Sequence, residues 1–245
     1  MNFGHKYMEE KTVKEILKST SDIYNKIAPD FYQTRQKPWP VLAWLKSYVI
    51  KASNVVDLGC GSGRLSELVE DSQNYLGLDN SNQLIKIAKN NYSNRKNLNF
   101  QVQDILAYQL PENNFDLALL IAVLHHLPTT ELRLKILKNI HRSLKNNGRL
   151  IITVWNLWQK DYRRYLFNYK LKLIKYKLWS FNDAFIPWQK KEFRYVHSFS
   201  RKELKKLLEV VGFKVKEIFY EYQGQPTSRL KGKNLIAITE KINAD

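Results

Sequence analysis

Five apolar runs divide the chain from residue 54 onward, and each has the length and β-branched content of a buried strand. They lie at 54–59, 75–79, 98–103, 115–122 and 149–155. Between them, apolar residues recur every three or four positions, which predicts helices at about 63–70, 82–91 and 130–145. Strands that alternate with helices in this way are typical of an α/β fold with a mostly parallel, doubly wound sheet.

The C-terminal part extends the same fold. Ser200–Val211 has the pattern of a helix, in which Ser200 and Glu203 are spaced as a capping box and a glycine follows the last turn. Lys214–Glu221 and Asn234–Lys241 predict two final strands joined by a polar loop. We therefore expect a Rossmann-like, seven-stranded sheet with a C-terminal antiparallel strand, in a single domain that covers the whole chain.

Two segments depart from this alternation. The N-terminal segment 12–45 begins as a helix, with Thr12 and Glu15 spaced as a capping box, but Ile23–Pro40 carries three prolines and fits neither helix nor strand. We interpret the segment as a lid over a ligand pocket or as a brace for the sheet. The insertion 158–195 interleaves lysine and arginine with aromatic residues. It can stack on unpaired bases and bind phosphates, or it can be an amphipathic helix with a solvated basic face.

The stretch Val55–Arg64, VVDLGCGSGR, predicts a buried strand that ends in a glycine turn. Glycine permits a positive φ and lets a ligand lie against the main chain. Arg64 stands where the dinucleotide fingerprint G-x-G-x-x-G would have its third glycine, and no Lys-Ser/Thr pair follows, which excludes a phosphate-binding Walker loop. Asp79 ends the next apolar run, where a carboxylate can accept hydrogen bonds from ribose hydroxyls.

This D-x-G-x-G-x-G stretch resembles motif I of the class I S-adenosylmethionine (SAM) methyltransferases. The resemblance implies that SAM is the cofactor, that the glycines face its methionine half, and that Asp57 helps to hold its amino group. It also implies that Asp104, after the third strand, contacts the adenine. The predicted cofactor-binding residues are Asp57, Gly59, Cys60, Gly61, Gly63, Asp79, Asn80, Asp104, Ile105 and Ala122. The alternative is a glycine turn with no ligand.

Charge points to a polyanionic partner. Forty lysines and arginines stand against 23 acidic residues, which gives a formal net charge of +17. This surplus suits tRNA or rRNA and, less well, an anionic membrane surface, whereas the alternative is an organism whose proteins are rich in lysine and asparagine. We expect no signal peptide and no membrane partner, because the longest apolar run, Leu117–Leu124, is too short to span a bilayer. The single cysteine, Cys60, excludes an internal disulfide and indicates a reducing cytoplasm.

Three segments outside the glycine turn narrow the prediction. They are IYNKIAPDFYQTRQKPWP at 23–40, AVLHHLPTTELR at 122–133 and IPWQKKEFRYVHSFSRKEL at 186–204. Together they resemble the eukaryotic tRNA wobble-uridine methyltransferases that esterify a carboxymethyl group on the base. The matching residues are Arg35, Lys37, Trp39, His125, His126, Arg133, Arg194, Tyr195 and His197. The chain departs from the family pattern at Leu132, which replaces an arginine, at Val196, which replaces a tyrosine, and at the turn 146–148, which replaces a proline–glycine turn.

The resemblance and the residue types agree on the chemistry. A carboxylate is already ionised at neutral pH, so its methylation needs binding and alignment more than a strong general base. Arginine suits this task, because its planar fork matches a carboxylate or a phosphate. The predicted catalytic residues are Arg35, His125, His126, Arg133, Arg194 and Tyr195, without a metal, and we expect some of the arginines to hold phosphate. For each histidine, the alternative is a structural side chain at a strand end.

The leading hypothesis is a SAM-dependent methyltransferase that methylates the carboxymethyl group of a modified wobble uridine, with the tRNA anticodon loop as its partner. The resemblance also implies that a small zinc-binding activator subunit can be required. Two alternatives remain open. One is a methyltransferase for a small acidic metabolite, and the other is a SAM-binding, RNA-associated protein without activity.

Overall fold

The computed structural model describes residues 8–35, 40–167, 181–188 and 192–242. The strands are β1 Asn54–Leu58, β2 Asn74–Asp79, β3 Leu98–Val102, β4 Phe115–Ile121, β5 Leu144–Trp155, β6 Asp183–Trp188, β7 Glu192–His197, β8 Phe213–Tyr222, β9 Gln225–Thr227 and β10 Asn234–Lys241. The α-helices are α1 Glu10–Gln33, α2 Pro40–Val49, α3 Asn82–Asn91, α4 Thr130–Ser143, α5 Arg163–Leu166 and α6 Arg201–Val211. Lys37 and Trp39 lie outside the described residues, as do 168–180 and 189–191 of the predicted insertion.

Eight strands form the main sheet, in the order β3-β2-β1-β4-β5-β10-β8-β9. The first five pair in parallel, whereas β10 runs antiparallel between β5 and β8. This confirms the predicted α/β class with a mostly parallel sheet and a C-terminal antiparallel strand. The sheet has eight strands and not seven because the three-residue strand β9 pairs with β8 at the outer edge.

Both faces of the sheet are covered by helices. Successive side chains of a strand point to opposite faces, so neighbouring residues join two different cores. On one face, Leu58 packs in a cluster with Ile136 of α4 and Leu204 of α6. On the other face, Val55 packs in a cluster with Ile85 of α3. Because both faces are filled, the carboxyl ends of the parallel strands are the part of the sheet left for a ligand.

Three of the helices begin at a serine or threonine cap. Ser81, Thr129 and Ser200 cap α3, α4 and α6, since each hydroxyl accepts a hydrogen bond from the backbone N–H three residues further on. The predicted cap at Ser200 is therefore confirmed. The helix expected at 63–70 is wrong in type: Arg64–Leu68 is a short 3₁₀ helix, because the backbone of the next residue, Val69, is already extended.

The predicted capping box at Thr12 and the predicted irregular structure after Ile23 are wrong. Helix α1 starts at Glu10, without a capping box at Thr12, and continues through Pro29 to Gln33. Its apolar side chains recur on one face, where Ile23 and Ile27 are buried. Burial of this face offsets the hydrogen bond that a proline removes from a helix.

A separate hairpin completes the fold. Strands β6 and β7 pair antiparallel, and β7 packs against α1 and against the 3₁₀ turn Leu124–His126 that follows β4. The hairpin thus brings Arg194 and Tyr195 next to residues from two distant parts of the chain. Within the described ranges, no helix is both long and apolar enough to cross a membrane.

Candidate active site

A cavity of about 750 Å³ lies at the carboxyl ends of β1, β2 and β4. Helix α1 covers it from one side and supplies Tyr24 and Phe31 to its wall. At another side, the end of β5 contributes Trp155, and Tyr162 follows from the next turn. Its position is the one at which open α/β sheets bind ligands.

The three glycines of the turn after β1 all have a positive φ, but they serve different purposes. A Cβ at Gly59 would lie 2.2 Å from Cγ2 of Val123, and one at Gly63 would lie 2.7 Å from Cε1 of Phe100. A Cβ at Gly61 would meet only Cε1 of Phe31, at 3.7 Å. Packing within the protein thus requires the outer two glycines, whereas Gly61 leaves its space open to the cavity.

Two carboxylates flank this turn. Asp79 accepts hydrogen bonds from the backbone N–H groups of Gly61, at 2.9 Å, and Ser81, at 2.8 Å, and burial raises the pKa of its carboxyl. Asp57, which is only 1% exposed, accepts a hydrogen bond of 2.7 Å from the hydroxyl of Tyr75. Burial raises the pKa of Asp57 to about 7, against the effect of that hydrogen bond.

Nine of the ten predicted cofactor residues line the cavity; Gly63 is the exception. Ala122 adopts a φ of 59°, with its N–H bonded to the backbone and the hydroxyl of Thr153. Cys60 is buried, which raises the pKa of its thiol well above the usual value and makes it a poor nucleophile. Buried carboxylates at two strand ends and an open backbone at Gly61 fit a ligand with an ammonium group and ribose hydroxyls. The residues therefore fit SAM.

His126 lies in the cavity wall between α1 and β7. Its Nδ1 is 2.7 Å from the carbonyl oxygen of Tyr195, so Nδ1 donates, and Nε2 accepts from the Tyr24 hydroxyl at 3.0 Å. Burial, together with the nearby charge of Arg194, lowers the pKa of His126 to about 4, against the effect of its hydrogen bond to Tyr195. The imidazole is therefore neutral at pH 7 and fixed in one tautomer.

His125, the second predicted histidine, is not part of the cavity wall. Its Nδ1 accepts from the backbone N–H of Trp155 at 3.3 Å, and its Nε2 has no partner within the described part of the chain. Burial lowers the pKa of His125 well below its usual value. This geometry gives His125 a supporting position behind His126, whose ring is tilted against it with the centroids 4.3 Å apart.

Arg35 and Arg194 approach the same aromatic cluster from two elements. The guanidinium carbon of Arg35 lies 3.7 Å from the ring centroid of Phe31, and it is 5.2 Å from that of Trp188. The guanidinium carbon of Arg194 lies 5.0 Å from Trp188 and 4.8 Å from Trp155. Arg35 lines the cavity, whereas Arg194, only 2% exposed, lies directly behind its wall. Burial lowers the pKa of Arg35 to about 10, which leaves it charged at neutral pH.

Arg133 and Tyr195 do not reach the cavity, so the prediction that their side chains act there is corrected. Arg133 is buried, and its Nε donates to the carbonyl oxygen of Leu127 while Nη1 lies 3.7 Å from Glu203. The hydroxyl of Tyr195 donates to Asp183 at 2.7 Å. Both side chains face the interior, where Arg133 lies against Glu203 and the ring of Phe199 and Tyr195 lies against Asp183 of β6.

A buried ionic cluster surrounds these two residues. The two ring nitrogens of His197 face carboxylates, Asp183 at 2.6 Å and Glu203 at 2.8 Å. Burial alone would raise the pKa values of both acids, but their hydrogen bonds to His197 and the nearby charges lower them overall. The matched histidine His197 therefore holds the hairpin to α6 and does not face the cavity.

Sequence reasoning missed Tyr24 and Trp155, which complete the wall around His126. Trp155 ends β5 and could have been found by the general rule that ligands lie at the ends of parallel strands. Tyr24 gave no such signal, because the segment around it reads as irregular and its position depends on the unexpected length of α1.

Comparison with known proteins finds similar methyltransferases. Residues 56–152 match a family described as a methyltransferase domain. Over 223 residues, the chain is 31% identical to the tRNA (carboxymethyluridine(34)-5-O)-methyltransferase of Schizosaccharomyces pombe, which covers 81% of this chain and 90% of that protein. A protein of the same name from Saccharomyces cerevisiae is 32% identical over 166 residues, which is 68% of this chain but 54% of the yeast protein.

Solved structures show the same fold. The 1,6-didemethyltoxoflavin-N1-methyltransferase of Burkholderia thailandensis, solved with 1,6-didemethyltoxoflavin and S-adenosylhomocysteine, superposes with a TM-score of 0.68. The superposition covers 98% of this chain and 93% of that chain, at 16% identity. At this level of identity the likeness concerns the fold alone.

Proposed function

This chain belongs to the family of tRNA (carboxymethyluridine(34)-5-O)-methyltransferases, and we propose that it methylates the carboxylate of a carboxymethyl group on the wobble uridine of tRNA. The cofactor of the chain is SAM, which supplies a methyl group on a sulfonium centre when it is bound. The residues that would hold it are Asp57, Asp79 and Asp104, together with the open backbone at Gly61.

One observation supports an anionic substrate above all. Arg35 and Arg194 share Trp188 as a neighbour, and neither forms an ion pair with a carboxylate in the described part of the chain. The Nε of Arg194 is buried and also lacks a hydrogen-bond partner there. A buried, unpaired guanidinium costs several kcal/mol unless an anion compensates it. A carboxylate that enters the cavity would provide this compensation.

The remaining chemistry asks little of the protein beyond alignment. The carboxylate is ionised at neutral pH, so no side chain has to remove a proton from it. His126 is neutral and both of its ring nitrogens are occupied, by Tyr24 and by the Tyr195 carbonyl, so it shapes the cavity wall without adding a charge. Phe31 and Trp155 line the cavity with apolar rings and exclude water, which strengthens the attraction between arginine and carboxylate. Esterification removes the negative charge, so the same arginines hold the product less tightly.

The test is methyl transfer to matched RNA substrates. The purified chain is incubated with SAM and with tRNA that carries carboxymethyluridine at position 34, with the same tRNA carrying unmodified uridine, and with free carboxymethyluridine nucleoside. Mass spectrometry of the digested RNA should show a methyl ester only in the first case. Equal methylation of unmodified uridine would contradict carboxylate recognition. Methylation of the free nucleoside alone would favour an enzyme for small acids.

A matched variant shows whether the signal depends on the proposed site. Asp79→Ala removes a carboxylate from the cavity wall and should abolish SAM binding in calorimetry.

The requirement for a small activator subunit stays a prediction of the family resemblance. Adding such a subunit to the assay should leave turnover unchanged if the chain acts alone.

A further inference from the structure

A loop beside the cavity, formed by residues 228–233, is held by buried polar side chains. Asn156, which follows β5 and is only 1% exposed, donates from its side-chain amide to the carbonyl oxygens of Arg229 and Gly232. The amide of Gln159, also buried, donates to the carbonyl oxygen of Lys233 at 3.2 Å. Two buried amides thus fix a loop that takes no part in the sheet.

A third buried side chain anchors the base of the 228–233 loop. Glu221 accepts hydrogen bonds from the backbone N–H of Gly224, at 2.6 Å, and from the side-chain amide of Asn234, at 3.0 Å. Its carbonyl oxygen accepts from the backbone N–H of Lys233 at 2.7 Å. The Glu221 carboxylate is therefore occupied by neutral N–H groups, and within the described ranges it forms no ion pair with the lysines of the loop.

The loop presents cations and an apolar side chain to solvent. Arg229, Lys231 and Lys233 are exposed, and Leu230 is 62% exposed. The guanidinium of Arg229 lies over the ring of Trp158, 4.2 Å from its centroid, and Nζ of Lys233 lies 5.3 Å from the ring centroid of Tyr222. No ion pair joins these three cations to a carboxylate anywhere in the described ranges. A merely solvated basic face does not need such rigid support from buried side chains.

The 228–233 loop forms part of the rim of the active-site cavity. Lys233 lines the cavity, next to Asn234 at the start of β10. Gln159, which holds the loop, lines it as well, and so does Tyr162, whose ring stacks on that of Trp155 at 5.9 Å. A substrate larger than a nucleoside would therefore extend out of the cavity past this loop.

We propose that the 228–233 loop binds the RNA backbone on the nucleotides that flank the target base. This inference rests on the proposed function, because it takes the ligand of the cavity to be a nucleotide within an RNA loop. An enzyme that modifies such a nucleotide turns it out of the stack, and the neighbouring phosphates then lie at the rim of the pocket. Arginine and lysine bind phosphates, and exposed aromatic faces such as Tyr222 stack on unpaired bases.

The experiment measures RNA binding separately from methylation. The probe is a 17-nucleotide anticodon stem-loop with unmodified uridine at position 34, titrated against the full chain at several salt concentrations. The variant Arg229→Ala/Lys231→Ala should raise the dissociation constant about tenfold and lower the salt slope by about 1 to 2. The control Lys135→Ala/Lys138→Ala removes the same charge from exposed positions of α4, which contributes nothing to the cavity wall, and should change the constant by less than about twofold.

A second variant tests the fixed conformation of the loop. Asn156→Ala keeps every cation but removes the two amide hydrogen bonds, so we expect RNA affinity to fall about three- to tenfold while affinity for S-adenosylhomocysteine is retained. Thermal unfolding of each variant shows that the chain is folded. Unchanged affinity in Asn156→Ala would overturn the role of the fixed conformation.

The outcomes separate this inference from the function on which it rests. If the loop variant and the α4 control bind RNA equally while the wild type methylates carboxymethyluridine tRNA, the proposed RNA-binding surface is wrong and the proposed function is supported. If the loop variant loses RNA affinity while the wild type methylates no tRNA, the surface is supported and the function fails. If the wild type does not bind the stem-loop, the surface is overturned.

Discussion

Tyr24 and His126, which are 102 residues apart in the sequence, meet at 3.0 Å between the phenol oxygen and Nε2 of the imidazole. The contact joins α1 to the turn after β4 across the wall of the active-site cavity. It also reaches a third segment, because Nη1 of Arg194 lies 3.4 Å from the same phenol oxygen. Tyr24 therefore connects a histidine and an arginine that were both predicted as catalytic residues.

We expect Tyr24→Phe to lower turnover about tenfold and the free energy of unfolding by about 1 to 2 kcal/mol, because it leaves the buried Nε2 of His126 without a donor. SAM affinity should change little. Tyr32→Phe, on the same helix but outside the cavity wall, is the control and should leave turnover unaltered. Single-turnover methylation and denaturant unfolding measure the two quantities. Identical turnover in the two variants would remove Tyr24 from the site.

The glycine turn leads to a second prediction, in which one alanine substitution lowers stability and another weakens SAM binding. Gly59→Ala places a Cβ against Val123, so it should lower the free energy of unfolding by about 3 kcal/mol or more. In Gly61→Ala only the positive φ lowers the free energy of unfolding, by about 1 to 2 kcal/mol, so the variant should fold. Its Cβ enters the cavity, however, and should weaken SAM binding more than about tenfold. Calorimetry that gave Gly61→Ala full SAM affinity would show that the cofactor does not approach this backbone.

The cofactor half of the site could be predicted from sequence because its residues follow directly from local pattern. A strand ending in Asp57 and a glycine turn, and a second strand ending in Asp79, place two carboxylates at one edge of a parallel sheet. The two carboxylates lie close together because β1 and β2 pair in parallel, and the alternation of strands and helices already indicates such pairing.

The substrate half depended on long-range packing, which no local pattern reports. Arg133 and Arg194 look alike in the sequence, as basic residues beside aromatic or histidine-rich segments. The packing of β7 against α1 and the turn after β4 puts Arg194 behind the cavity, whereas the packing of α4 against α6 puts Arg133 in the interior. The length of α1 was missed for a related reason, since burial of Ile23 and Ile27 outweighs the proline that predicts a break.

Asp57 predicts an effect of pH on stability. Its carboxyl has a pKa near 3.8 in the unfolded chain and about 7 when buried. Between these two pH values the folded state therefore keeps a proton that the unfolded state has lost. The stabilisation from this proton is therefore present at low pH and is lost as pH rises through 7. Asp57→Asn keeps an acceptor for Tyr75 but has no proton to lose. Relative to the wild type, we expect the SAM-free variant to gain about 2 to 3 kcal/mol in the free energy of unfolding between pH 5 and pH 8.

The same substitution should weaken SAM binding about ten- to a hundredfold, since a charged hydrogen-bond acceptor becomes neutral. Urea unfolding at a series of pH values, with and without SAM, measures both effects. A stability difference that stayed constant from pH 5 to pH 8 would contradict the raised pKa of Asp57.

The two arginines make the sharpest contrast, because methionine at each position keeps the length of the side chain and removes the charge. Arg194 has aromatic neighbours and no carboxylate partner among the described residues, so Arg194→Met relieves an uncompensated buried charge and should leave stability equal or higher. Methylation of carboxymethyluridine tRNA should nevertheless fall about ten- to a thousandfold, as expected for the loss of one positioned charge.

Arg133→Met should do the opposite. It removes the hydrogen bond to the Leu127 carbonyl and the guanidinium that faces Glu203, so the carboxylates of Asp183 and Glu203 keep only their hydrogen bonds to His197 and Tyr195. We expect a loss of about 2 to 4 kcal/mol in the free energy of unfolding, with methylation per folded molecule affected far less than in Arg194→Met. Denaturant unfolding and single-turnover rates of both variants decide the matter. If Arg133→Met lost turnover without losing stability, Arg133 would have to reach the substrate after all.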